Sequence, residues 1–336
     1  MTLKYIGSKR KLLPVLEELV AGHGPLSTAV DLFAGTTRVG RMLKARGLAV
    51  HSNDTASYSE VLARAAIATD RRQLDLADLA ARLADLAATP PEPGYVTETF
   101  CRRSRYFHPD NGARIDAIRA RIEAEWTAEP ERSIALTALL LAADRVDSTT
   151  GVQMAYLKAW APRARRPLEL QLPELFDGGG SVSRLDAADC ARRLGPVDLA
   201  YLDPPYNQHS YFGNYHVWET LVRWDAPEVY GVACKRVDTR QNKSAWNSRR
   251  LIGPAFRELL DAVDARHLLV SFNDEGYLDP AEVADELAAR GELTRLDVPH
   301  PRYVGARIGI HNTAGEKVGT VGRLVNTEVV FLVRSR

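Results

Sequence analysis

The element of this chain best equipped for chemistry is Asp203-Pro204-Pro205-Tyr206, at the end of the apolar run Val197-Asp198-Leu199-Ala200-Tyr201-Leu202. A carboxylate, two rigid prolines and an aromatic ring at the end of a buried strand can hold a planar ring that carries an amino group. Proline cannot continue a sheet ladder, so the strand must stop there and its last residues face a cleft. The chemistry is therefore expected at the carboxyl edge of an α/β sheet.

The elements that must position such a site are legible upstream. Ala29-Val30-Asp31-Leu32-Phe33 reads as a buried strand, Gly35-Thr36-Thr37 as a tight turn and Val39 to Arg46 as a helix closed by Gly47. A second strand, Leu48 to Ser52, runs into Asn53-Asp54. This is one βαβ unit with an acidic residue roughly 20 positions after its first strand, the arrangement that grips an adenosine ribose. Glycines sit where the backbone must turn sharply and where a helix must pack closely. No Walker-type spacing follows, which disfavours a nucleoside triphosphate. From Tyr58 to about Trp160 the pattern becomes helical, with a buried helix expected over Ser133 to Ala143. Pro162 to Leu175 and Gly178-Gly179-Gly180 read as a linker back into the sheet. Beyond Asp203 a helix is expected over Pro254 to Asp264 and a strand over His267 to Asn273. A final antiparallel pair is expected at Gly305 to Ile310 and Glu328 to Val333.

Composition bounds the classes that remain. The 336 residues can bury a large core, and the formal charge is only +1, so any nucleic-acid footprint must be local. Basic clusters occur at Lys9-Arg10-Lys11, Arg102-Arg103 with Arg105, Arg163 with Arg165-Arg166, and Lys235 to Arg250. No apolar run approaches the roughly 18 residues of a membrane span, and no leader pattern is evident, so the chain reads as cytoplasmic. Cys101, Cys190 and Cys234 are odd in number and far apart, which favours neither a disulfide framework nor a metal site.

With these motifs in place, the chain resembles the Dam-type (alpha-class) DNA adenine-N6 methyltransferases. Lys4-Tyr5-Ile6-Gly7-Ser8-Lys9, Asp31 to Gly40, and Asp203 to Tyr206 match three motifs of that group in order, and Ser271-Phe272-Asn273-Asp274 resembles its late strand motif. Thr37 departs from the pattern, standing where many members carry a second glycine. The resemblance implies a Rossmann-like α/β sheet dependent on S-adenosylmethionine, in two parts, 1–57 and 176–336, with a helical DNA-recognition insertion over 58–175. It implies that Tyr5 and Lys9 contact the cofactor's methionine part, with a DNA phosphate the competing partner for Lys9, that Asp31, Phe33, Gly35 and Thr36 line its pocket, and that Asp54 holds its ribose. Asp189, with Cys190 beside it, stands where the group reads the cofactor's adenine, and Asp186 is the competing candidate.

The expected chemistry follows from the residues. The amino nitrogen of adenine is a poor nucleophile because its lone pair is delocalised into the ring. Asp203 and the carbonyl of Pro204, accepting its two N–H bonds, would draw it toward a tetrahedral geometry, acting by electrostatic stabilisation and not as a base. Tyr206 would stack on the ring, worth roughly 1–3 kcal/mol against the cost of flipping it from a duplex. The stretch Gln208 to Glu219 is expected to close over the flipped base, with no catalytic role for His216. Arg236, Arg240, Asn242 and Lys243 are the expected DNA contacts, mostly to phosphates. Double-stranded DNA is the expected partner. A cognate restriction endonuclease, a phage role or epigenetic marking are all compatible with this reading, and a monomer or weak dimer suffices for it. The competing readings are a structured-RNA substrate, N4-cytosine chemistry, a non-catalytic DNA-binding protein and a nicotinamide-dependent oxidoreductase.

Overall fold

The computed structural model describes residues 3–241, 243–301, 310–311, 317–319 and 325–335. Its strands are β1 (Thr28–Asp31), β2 (Ala49–Asn53), β3 (Ser181–Ser183), β4 (Val197–Leu202), β5 (Val229–Tyr230), β6 (Lys235–Arg236), β7 (Ala265–Asn273), β8 (Gly291–Pro301), β9 (Ile310–His311), β10 (Lys317–Gly319) and β11 (Val325–Ser335). Seven form the central sheet, in the order β3-β2-β1-β4-β7-β11-β8. The pairings from β3 through β7 are parallel, and β11 enters antiparallel between β7 and β8.

The sheet is buried on both faces, and the period of two in its strands shows how. Leu199 and Tyr201 of β4 face one core with Val330 and Leu332 of β11, covered by α1 (Leu13–Ala21) and α2 (Arg38–Ala45). Ala200 and Leu202 face the other with Val329, Phe331 and Val333. A third core belongs to the helical layer: α3 (Ser57–Ala63), α4 (Leu76–Ala87), α5 (Pro109–Glu125) and α6 (Glu131–Arg145). The helix expected over Ser133 to Ala143 is α6, and every residue from Ser133 to Asp144 is buried, as an apolar helix without a polar face requires.

The remaining helices are α7 (Ala187–Leu194), α8 (Tyr211–Asn214), α9 (His216–Arg223), α10 (Ile252–Ala262) and α11 (Pro280–Ala288). Of these, α7, α10 and α11 cover the second face of the sheet. Tyr215, Val217, Trp218 and Leu221, just past Asp203-Pro204-Pro205-Tyr206, pack into the helical layer's core and not onto the sheet. Among the described residues no helix is long and apolar enough to cross a membrane.

The last strand pair differs from expectation. Glu328 to Val333 does form a strand, but its antiparallel partners are β7 and β8. Residues 305–309 lie outside the described residues. β8 escaped the sequence reading because it is an edge strand, with most of Glu292 to Val298 partly or fully exposed and so without a clean apolar alternation.

Candidate active site

The chain crosses over in opposite directions from β1 and from β4, which are neighbours, so a crevice must open beyond their carboxyl ends. A cavity of about 340 Å³ lies there. Asp31 and Asp203, at the ends of the two strands, both line it, together with the Phe33 to Thr36 loop and Asp54.

The loop owes its path to a few contacts. Gly35 has φ +50°, and a Cβ there would sit 3.3 Å from the Tyr5 ring. Asp54 accepts from Gly35 N at 2.8 Å and from Ala56 N at 3.0 Å, so it fixes the loop as well as facing the cavity. Burial raises its pKa, and those N–H donors offset part of the rise. Thr37 keeps the left-handed backbone, φ 61°, that glycine would adopt freely, so the departure in sequence leaves the turn intact at the expense of strain.

Asp31 is 1 % exposed, and its Oδ2 accepts from Gly40 N at 3.2 Å. Its Oδ1 is buried with no hydrogen-bond partner. Burial, with Asp203 adding to it, pushes its pKa up to about 8. An unsatisfied buried carboxylate oxygen on a cavity wall is a ready acceptor for a cationic amino group.

Asp203 is not alone at the end of β4. Lys9 Nζ lies 2.9 Å from Asp203 Oδ1 and 3.2 Å from Glu328 Oε2. Burial opposes the ammonium, yet the two carboxylates outweigh it and hold Lys9 well above the ordinary lysine value. Burial pushes Asp203 up to about 6, with Lys9 pulling it down and Glu328 pushing it up. Lys9 lines the cavity, with its salt bridges to Asp203 after β4 and to Glu328 of β11. Glu328 gave no signal in the sequence, because its partners lie across the sheet.

The aromatic lining also goes beyond the motif. Tyr5 stacks on Tyr211, at 5.1 Å, and on Tyr215, at 4.4 Å. Tyr206 is not among the cavity-lining residues; its ring packs on Phe272 at 6.4 Å, while Pro205 lines the cavity beside Asp203. His216 is fully buried, bonded through Nε2 to Gln153 O at 2.9 Å, and burial lowers its pKa to about 3, which suits a structural role.

Three expectations are corrected. Asp189 is exposed and paired with Arg192 at 2.9 Å, whereas Asp186 lines the cavity. Asp186 caps α7, accepting from Ala188 N at 2.9 Å, and three residues of helix carry Asp189 away from the cavity. Cys190 is buried on the inner face of α7, with Ser183 Oγ at 3.4 Å from its sulfur, and does not line the cavity. Arg236 is 1 % exposed and bridges Asp225 and Asp238, so it is not placed to meet DNA. Arg240 is exposed, with its guanidinium 3.8 Å from the Tyr230 ring centroid, and Lys243 is exposed on the cavity rim. Asn242 lies outside the described residues. Trp246, missed in the sequence, lines the cavity and meets Phe33 edge-on at 5.1 Å. Its burial beside a basic stretch masked it.

Comparison with known proteins places the chain among its relatives. The model of the D12 class N6 adenine-specific DNA methyltransferases matches residues 5–283. Type II methyltransferase M.NlaIII of Neisseria lactamica is 34% identical over 317 residues, covering 90% of this chain and 92% of that protein. Type II methyltransferase M.CviAII of Paramecium bursaria Chlorella virus 1 is 29% identical over 320 residues, covering 93% and 96%. Modification methylase StsI of Streptococcus sanguinis is 29% identical over 322 residues, 90% of this chain and 49% of that protein, so the chain spans about half its length. The chain belongs to the family of D12 class N6 adenine-specific DNA methyltransferases.

Proposed function

We propose that this enzyme transfers the methyl group of S-adenosylmethionine to the exocyclic amino group of an adenine flipped out of duplex DNA. The observation that carries this is the shared cavity: Asp203, at the end of β4, opens into the same space as the Phe33 to Thr36 loop, Asp54 and the orphaned Asp31 oxygen. The cofactor would supply an electrophilic methyl on a sulfonium centre.

The residues fit that group. Asp31 Oδ1, buried and without a partner, would take its ammonium. Asp54 would accept from the ribose hydroxyls, and Phe33, Trp246 and Asp186 would bound the adenine end. Asp203 and the Pro204 carbonyl would accept the two N–H bonds of the target amine, freeing the nitrogen lone pair. Positive charge then develops on that nitrogen beside a carboxylate in a cavity of low dielectric, where such stabilisation is strongest. Tyr206, partly exposed and one residue beyond the cavity-lining Pro205, would offer its ring to the base. Arg240 and Lys243 would contact phosphates. Because relatives are named type II methyltransferase or modification methylase, we read the chain as the modifying half of a restriction pair.

The test is incubation of the purified chain with methyl-labelled S-adenosylmethionine and unmethylated genomic DNA, followed by nucleoside mass spectrometry. Labelled N6-methyladenine at one repeated sequence is expected. Label on cytosine or RNA, or none despite DNA binding, would overturn the reading.

A further inference from the structure

Lys9, Asp203 and Glu328 are brought together from the first turn of the chain, the end of β4 and strand β11. Lys9 and Glu328 are almost wholly buried, at 6 % and 5 % side-chain exposure, and Asp203 keeps 18 %. Glu328 is itself fixed, since its other oxygen, Oε1, accepts from Asn273 Nδ2 at 2.8 Å. Asn273 in turn accepts from Glu275 N through Oδ1, at 2.9 Å. The ammonium is therefore held by two carboxylates at comparable distances, one anchored and one on the cavity wall. Lysine is a point charge, so it engages Asp203 at a single oxygen and does not saturate it. Two carboxylates and one ammonium leave a net negative charge where a positive charge must develop.

We propose that Glu328 is a positioning residue for methyl transfer: by sharing the Lys9 ammonium that touches Asp203, it leaves Asp203 less fully neutralised and so a strong acceptor for the target amine. This rests on the reading that Asp203 receives the adenine amino group. The other ionisable groups facing Asp203 are Asp31 from β1, Tyr201 from β4, Tyr206 after it and Tyr211 from α8. None of them supplies the positive charge that Lys9 does.

The two partners of Asp203 should act with opposite sign, which a merely structural role would not produce. Glu328 raises the proton affinity of Asp203 and Lys9 lowers it. In single-turnover assays on genomic DNA with the full chain, E328Q should lower kcat about tenfold, short of the roughly 10²–10³-fold that loss of a directly acting group costs. Its acid limb should move to lower pH by about half a unit, with cofactor and DNA affinities within about twofold of wild type. K9M should move the acid limb to higher pH by about one unit, and K9R should return it toward wild type. If E328Q folds poorly, E328D provides the test: it withdraws the carboxylate by one methylene and should also lower kcat. Wild-type kcat with an unmoved acid limb in E328Q, or E328Q and K9M shifting the limb the same way, overturns the proposal while leaving the function in place. Absence of N6-methyladenine from the wild type overturns the function, and this proposal with it.

Discussion

Two buried cations in this molecule each sit between two carboxylates, and they do opposite things. Lys9 bridges Asp203 and Glu328 on the cavity wall; Arg236 bridges Asp225 and Asp238 in the excursion beyond α9. The Arg236 fork meets Asp225 with two bonds of 2.7 Å and Asp238 with bonds of 3.0 and 2.8 Å. Burial opposes ionisation of both aspartates, but Arg236, with Arg223 beside it, outweighs it and holds them below the ordinary carboxylate value. Asp203, touched at one oxygen by a lysine, stays above that value, at about 6. A planar fork saturates its partners and makes a latch; a point charge leaves acceptor capacity over and makes a site.

The largest expected effect is on the site. Asp203→Ala should reduce transfer by about 10³-fold while DNA affinity stays near wild type, since phosphate contacts lie elsewhere. Its folding stability at neutral pH should not fall. The folded carboxyl holds its proton to about pH 6, above the unfolded value near 4, so this group makes stability decline as pH rises through that window. Chemical denaturation of the variant should show that decline removed.

Arg236→Met should break the latch instead, costing about 2–4 kcal/mol in denaturant unfolding with activity per folded molecule retained. The pH sign is reversed. Asp225 and Asp238 have depressed values, so their stabilisation is present above about pH 4 and is lost as pH falls through their folded values; the variant should lose most of that acid sensitivity, with Arg223 keeping the remainder. A large drop in activity with unchanged stability would erase the contrast between the two clusters.

Smaller effects sharpen it. Asp54→Ala should weaken S-adenosylmethionine binding about tenfold in calorimetry, because a carboxylate that also pins Gly35 and Ala56 is lost. Unchanged affinity would remove Asp54 from the ribose. Thr37→Gly should stabilise the fold by about 0.5 kcal/mol in thermal unfolding, as relief of about 1–2 kcal/mol of left-handed strain is partly offset by glycine's freedom in the unfolded chain. A clear loss would mean that the Thr37 hydroxyl bond to Thr36 O, at 2.7 Å, outweighs the strain.

The sequence carried what is local. An apolar run ended by two prolines could only be a buried strand with its last residues at an edge, and β4 is that strand. The Gly35 turn and Asp54 marked the βαβ unit whose loop lines the cavity. Partnerships across the sheet were not legible. A cluster of basic residues after the catalytic motif looks alike whether it faces a phosphate or, as Arg236 does, two aspartates. Asp186 and Asp189 differ only in which one starts the helix, a distinction of less than one turn. The cap of α3 shows the limit best: the backbone N–H groups of Ser57 and Tyr58 donate to Glu219, at 2.9 and 3.4 Å, more than a hundred residues away.

The place of β11 also bears on the order in which the enzyme comes to life. Asp203 and its loop can be set once β1, β2 and β4 have paired, but the carboxylate that shares Lys9 rides on a strand that must thread between β7 and β8. A chain emerging from a ribosome would thus form the Phe33 to Thr36 side of the cavity before Lys9 gains its second carboxylate. Contacts of such long sequence separation close late. On the proposed role of Glu328, the newborn enzyme would bind S-adenosylmethionine first and reach full transfer only when β11 docks.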